Sequence, residues 1–133
     1  MSKIDIACII DDDPIFVFGA KRMMQLADFC KSFMLFKDGE EALNALTPLM
    51  MSGEKIPDVI LLDINMPIMD GWQFLDEFTK IKTSRQVTIF IVSSSIDPAD
   101  QHKVQEYEHV SNFIIKPISI PVLKEILEDM PKL

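Results

Sequence analysis

Three consecutive aspartates, Asp11, Asp12 and Asp13, close the apolar run Ile4–Ile10, and Asp63 closes the run Val59–Leu62. Ser93 and Ser94 follow Val87–Val92, and Lys116 with Pro117 follows Asn112–Ile115. Clustered carboxylates repel and raise one another's pKa unless a cation sits among them. A small set of hard oxygen ligands favours Mg²⁺, which keeps several waters and completes its shell with a phosphate oxygen. A carboxylate beside Mg²⁺, an ammonium and a hydroxyl has the parts of a phosphoryl acceptor, because charge neutralisation and positioning make up most of phosphoryl-transfer catalysis. This chemistry requires a fold that gathers residues scattered from position 11 to position 116.

The elements that must do the gathering are legible as an alternation. Apolar runs at Ile4–Ile10, Phe33–Phe36, Val59–Leu62, Val87–Val92 and Asn112–Ile115 are short and rich in β-branched residues, and they read as parallel strands buried on both faces. Between them lie amphipathic stretches with helical stripes: Leu43, Leu46 and Met50; Phe74, Leu75, Phe78 and Ile81; Leu123, Ile126, Leu127 and Met130. The βα alternation implies an α/β fold, a doubly wound five-stranded parallel sheet with helices on both faces. Ligands of such sheets bind outside the carboxyl ends of the strands, where Asp11–Asp13, Asp63, Ser93 and Lys116 would converge. Asp13 before Pro14 and Asp97 before Pro98 read as N-caps, and Asp38 three residues before Glu41 reads as a capping-box variant. The stretch Asp97–Tyr107 is the weakest helix, with Val104 and Tyr107 as its apolar anchors, and should be the most mobile element.

Composition bounds the rest. A chain of 133 residues is expected to be one domain, residues 1–133 with a core from about 4 to 130. It is long enough to need no disulfide or metal staple. The formal net charge of -8 disfavours direct nucleic-acid contact, which needs a basic face. The longest apolar runs are too short to span a membrane, and no signal-like leader follows Met1, so a cytoplasmic protein is expected. Cys8 and Cys30 form no framework, and Cys8 reads as core packing. The nine methionines read as core filler, and His102 and His109, without partners at metal spacing, read as surface residues.

Taken singly, most of these residues have a bland reading. Asp13 is a cap, Asp11 or Asp12 a solvated turn carboxylate, Lys116 a surface lysine and Phe113 a core residue. Ser93 would bond backbone, and Asp70-Gly71 would be a loop turn leading into a helix. Asp63 alone is more informative, because a charge that ends a buried strand is costly unless paired.

Jointly, four segments resemble a known family. IIDDDP, DVILLDINMPIMDGW, IFIVSSS and FIIKPI, in this order and separation, are similar to the motifs of response-regulator receiver domains of two-component signalling. The resemblance runs from about Ile4 to Met130 and extends to single-domain chemotaxis regulators. It implies a flavodoxin-like sheet ordered 2-1-3-4-5. It also implies Asp63 as phosphoacceptor and Mg²⁺ held by Asp12 directly, by Asp11 through water, by Asp63 and by the Asn65 carbonyl. Ser93 and Lys116 would bond the phosphoryl oxygens, and a cis Lys116-Pro117 bond would aim the lysine. Ser93 and Phe113 would form the switch, Phe113 lacking the hydroxyl of the tyrosine in many members; Ile118 stands where many have Phe. Asn65 and Ser95 would flank the hydrolytic water.

The implied function is a stand-alone receiver that takes a phosphoryl group from the phosphohistidine of a sensor histidine kinase or histidine phosphotransfer protein. It would not be an enzyme beyond its own Mg²⁺-dependent phosphorylation and dephosphorylation. With no output domain, it would signal as a monomer or weak dimer through a face made by the fourth helix, fifth strand and fifth helix. A haloacid-dehalogenase-like phosphatase would want an acid two residues after its nucleophile, where this chain has Asn65, and most members are longer. A flavodoxin-like cofactor binder would need a phosphate loop where this turn is acidic. A Rossmann or P-loop binder lacks its glycine pattern, since Gly19, Gly39, Gly53 and Gly71 are isolated. A degenerate receiver that binds partners without phosphorylation is the remaining alternative, opposed by the intact acidic pair, Asp63 and Lys116.

Overall fold

A computed structural model describes residues 4–81, 86–94, 97–107 and 110–130. Strands and helices alternate: β1 Ile4–Ile10, α1 Pro14–Leu26, β2 Cys30–Phe36, α2 Gly39–Ser52, β3 Val59–Asp63, α3 Gly71–Phe78, β4 Thr88–Ser93, α4 Pro98–Val104, β5 Val110–Ile115 and α5 Ile120–Asp129. The strands form one parallel sheet in the order β2-β1-β3-β4-β5. This is the doubly wound order expected from the resemblance.

The two-residue period of the strands sorts the core into two layers. Cys8, Ile10, Ile60, Leu62, Ile89 and Ile91 pack with Leu46 of α2 and Phe74 of α3 on one face. Ala7, Ile9, Val59, Leu61, Phe90 and Val92 pack with Met24 of α1 and Leu123 of α5 on the other. Every residue of β3 and β4 is buried, as is every residue of β1 except Asp5.

The expectation of double-sided burial fails at the sheet edges. β2 and β5 each leave about half of their residues open to solvent, because an edge strand is covered less completely than a central one. β2 also starts at Cys30 rather than Phe33, since backbone pairing with β1 carries it through the polar Lys31 and Ser32. β5 likewise starts at Val110, and β4 runs Thr88–Ser93.

Asp13 and Asp97 cap their helices as the sequence suggests, and Asp38 supplies the N-cap half of its expected capping box. The Asp13 carboxylate accepts from the N–H of Ile15 and Phe16, Asp38 from Glu41 and Asp97 from Ala99. Asp70, read as a turn residue, caps α3 in a reciprocal capping box with Gln73. α4 is shorter than the expected Asp97–Tyr107: it ends at Val104, and Tyr107 lies beyond it. No residue of α4 is buried, so packing gives it little reason to extend.

Candidate functional site

The strand registers bring the chemistry to one rim. Ile10 pairs with Leu62, so Asp11 follows β1 at the level where Asp63 ends β3. Asp63 pairs with Val92, and Ser93 pairs with Ile115, so Ser93 and Lys116 follow one step further along the same edge. The rim is tied by backbone: the Asp11 N–H donates to Phe36 O at 3.0 Å and the Lys116 N–H to Ser93 O at 2.8 Å. The Lys116-Pro117 bond is cis.

Asp11, Asp63 and Ser93 are buried, whereas Asp12 and Asn65 are exposed. One carboxylate oxygen from each of Asp11, Asp12 and Asp63 lies within 4.8 Å of the other two. The Asp13 N–H donates to Asp11 Oδ1 at 2.9 Å, and the Asn65 N–H to Asp63 Oδ1 at 3.4 Å. Lys116 Nζ lies 2.8 Å from Asp11 Oδ2 and 4.0 Å from Asp63 Oδ2.

The electrostatics follow from this crowding. Burial, with the Asp11 charge adding to it, pushes the Asp63 carboxyl up to about 6 against the pull of Lys116 and the Asn65 N–H. Burial also raises Asp11, and there Lys116 is the main opposing influence. Lys116 is thus one cation serving two buried carboxylates. Asp11 Oδ2 is buried, and among the described residues its partner is the Lys116 ammonium at 2.8 Å. Hard oxygen donors, mutual repulsion among three carboxylates with one lysine between two of them, and an open side at Asp12 fit a small divalent cation.

Of the residues singled out from the sequence, Asp11, Asp12, Asp63 and Lys116 are brought together and Ser93 shares their rim. Asp13 is the cap it was read as. Asn65 stands beside Asp63 through its N–H. Phe113, half-buried on β5, packs against the α2–α3 layer, as do Val104 and Tyr107. Ile118 is buried against the α1–α5 layer. His102 is exposed, as expected. Ser95 and His109 lie outside the described residues.

Two residues of the site were not found from the sequence. The ring of Phe16 lies under the Lys116 ammonium, 4.3 Å from its centroid. Its sequence signal was its place in the first turn of a helix capped by Asp13, within reach of the rim. Gly71 does more than turn the chain. A Cβ there would lie 2.5 Å from the Asp63 carbonyl oxygen and 2.9 Å from Ile64 Cα, so only glycine lets α3 start against the backbone of Asp63.

Comparison with known proteins agrees with this geometry. Residues 7–128 match the family model of the response regulator receiver domain. The chain is 24% identical over 125 residues to a probable methanogenesis regulatory protein FilR2 of Methanothrix harundinacea, an alignment covering 94% of this chain and 80% of that protein. It is 36% identical over 95 residues to the sensor histidine kinase CheAY of Helicobacter pylori, covering 70% of this chain but only 12% of the kinase. Among solved structures, a two component response regulator from Cytophaga hutchinsonii matches with a TM-score of 0.86 at 30% identity, covering 95% of this chain and 96% of that one.

Proposed function

The chain belongs to the response regulator receiver domain family, and from that membership we propose that Asp63 accepts a phosphoryl group from the phosphohistidine of a sensor histidine kinase or histidine phosphotransfer protein. Receiver domains are signalling proteins rather than classical enzymes, and they bind Mg²⁺ at an acidic pocket. The observation that carries the proposal is the setting of Asp63: buried at the end of β3, with a lysine 4.0 Å away and two further carboxylates around it.

In the proposed transfer, an Asp63 carboxylate oxygen bonds phosphorus as the P–N bond of the donor breaks, its electron pair returning to the imidazole nitrogen. Lys116 neutralises one phosphoryl oxygen, and the Ser93 hydroxyl donates to another. Asp12, Asp63 and the Asn65 carbonyl would hold Mg²⁺ directly and Asp11 through water, and the ion would supply positive charge against the phosphoryl oxygens. In hydrolysis, a water oxygen bonds phosphorus as the bond to Asp63 breaks, releasing phosphate. The exposed Asn65 amide orients that water, while Ser95 is too small to block it and carries no charge to hold it.

The proposed output is a protein contact on α4, β5 and α5. Two features support it: α4 contributes no buried residue, and Phe113 is half-buried behind it. Phosphoryl charge on Asp63 would draw in Ser93 and give Phe113 room to rotate. A single receiver domain in the cytoplasm, monomeric or weakly dimeric, is part of the same reading. The single-domain part of it is supported by one sheet-and-helix unit that takes in all the described elements.

Incubation with acetyl phosphate and Mg²⁺, followed by peptide mapping, tests the acceptor. The expected result is one phosphoryl group on Asp63 and none in Asp63→Asn. Label on Asp12, or wild-type labelling of Asp63→Asn, would overturn it. A phosphorylation-independent binding module would take no label at all.

A further inference from the structure

We propose that Phe16 is a positioning residue for the Lys116 ammonium, holding it over the acceptor while it changes carboxylate partners. The inference rests on the receiver reading above and adds a residue to it.

Four contacts close a ring around the site. Asp11 Oδ1 accepts from the Asp13 N–H at 2.9 Å, and Asp13 Oδ1 accepts from the Phe16 N–H at 3.4 Å. The Phe16 ring meets Lys116 Nζ at 4.3 Å, and Lys116 Nζ returns to Asp11 Oδ2 at 2.8 Å. The cap that starts α1 therefore also fixes the backbone of the aromatic residue beneath the lysine. Phe16 is half-buried against the α1–α5 layer, so its ring is held by packing from the other side.

The need for such a residue comes from the distances. At rest the ammonium is closer to Asp11, at 2.8 Å, than to the acceptor Asp63, at 4.0 Å. To serve a phosphoryl group on Asp63 it must turn away from Asp11. A carboxylate contact weakens as the ammonium pivots, but attraction to the face of an aromatic ring is broad in direction. The ring keeps the ammonium in place through the exchange. It also carries no charge, so it neither competes with the phosphoryl oxygens for the lysine nor adds to the repulsion among the aspartates.

The test uses acetyl phosphate, which needs no docking surface, on the full chain and four variants: Phe16→Leu, Phe16→Tyr, Lys116→Ala and the double variant Phe16→Leu/Lys116→Ala. Phe16→Leu should slow phosphorylation at saturating donor by about 3- to 10-fold. Phe16→Tyr should stay within about twofold of wild type, because its ring has the same face. In the Lys116→Ala background, Phe16→Leu should cost nothing further. An equal loss in both backgrounds would mean that Phe16 acts by packing alone and would overturn the proposal. The Lys116 ε-methylene proton resonances give a readout independent of phosphorylation. They should carry an upfield ring-current shift that Phe16→Leu removes and Phe16→Tyr keeps. If the wild type takes no label on Asp63, the receiver reading fails, and this shift still decides whether Phe16 holds Lys116. Lysine resonances unmoved by Phe16→Leu would show that it does not.

Discussion

The rings of Trp72 and Tyr107 stack with centroids 5.4 Å apart and planes 25° from parallel. Trp72 lies in the first turn of α3, and Tyr107 lies beyond the end of α4, so the stack clasps one helix to the other. Three polar contacts reinforce it. The Tyr107 hydroxyl donates to Asp76 at 2.6 Å, the Trp72 indole N–H donates to Asp100 at 3.3 Å, and the Lys103 ammonium lies 5.0 Å from the Trp72 ring centroid. The Tyr107 hydroxyl, pushed up to about 12 by its burial and by Asp76, stays protonated and remains a donor across the physiological range. α4 buries no residue of its own, so this clasp carries much of its attachment.

Tyr107→Ala should therefore loosen α4. The loss of a stacked ring and one hydrogen bond should lower stability by about 1–2 kcal/mol. Trp72 is the single tryptophan, so its emission reads the contact directly and should move to the red. Unchanged emission in Tyr107→Ala would show that α4 is held by other contacts.

The acceptor carboxylate should cost stability in metal-free protein. Its folded pKa of about 6 lies above the ordinary value of 3.8. Between those values the folded state holds a proton that the unfolded chain has released. Stability therefore falls as pH rises through that window and stays lowered above it. In EDTA at pH 7.5, a condition chosen at about neutral pH, Asp63→Asn should be more stable than wild type by about 2–3 kcal/mol. The difference should shrink as pH falls toward about 4. Denaturant unfolding across pH measures it, and a gap that widened on acidification would contradict this origin.

Mg²⁺ should bind once and with modest affinity, because few protein ligands hold an ion that keeps its waters. Asp12→Ala should abolish binding by isothermal titration. Asp12 is exposed and takes no part in the Lys116 ion pairs, so the fold should tolerate the change. Affinity unaffected by the substitution would place the ion elsewhere.

Gly71→Ala should damage the site from behind. Its new methyl would press on the carbonyl of Asp63 at 2.5 Å, a backbone contact that no rotamer relieves. The start of α3 and the end of β3 would have to separate, breaking the 2.9 Å bond from the Gly71 N–H to Ile64 O. A loss of about 2–3 kcal/mol is expected, as for other overpacked sites, together with slower phosphorylation of Asp63. Wild-type stability by thermal melting would show that the helix can shift freely.

The sequence by itself determined which residues meet. Buried strands must be apolar and parallel βα units must place their strand ends on one rim, so Asp11–Asp13, Asp63, Ser93, Ser94 and Lys116 were identifiable from where each apolar run stops, and the family resemblance then singled out Asp11, Asp12, Asp63, Ser93 and Lys116. Caps such as Asp13 and Asp38 were legible for the same reason: they act within three residues of themselves. The tertiary structure alone decided how the site is balanced. That Lys116 favours Asp11 over Asp63, that Phe16 lies beneath it and that Gly71 touches the Asp63 backbone are distances between separate elements. The same holds for Tyr107, which the helical period placed in α4 and which instead stacks on Trp72 of α3. Periodicity reports which face of an element is buried; it carries no information on which side chain of another element fills the space against it, because that is settled by packing between segments distant in the chain.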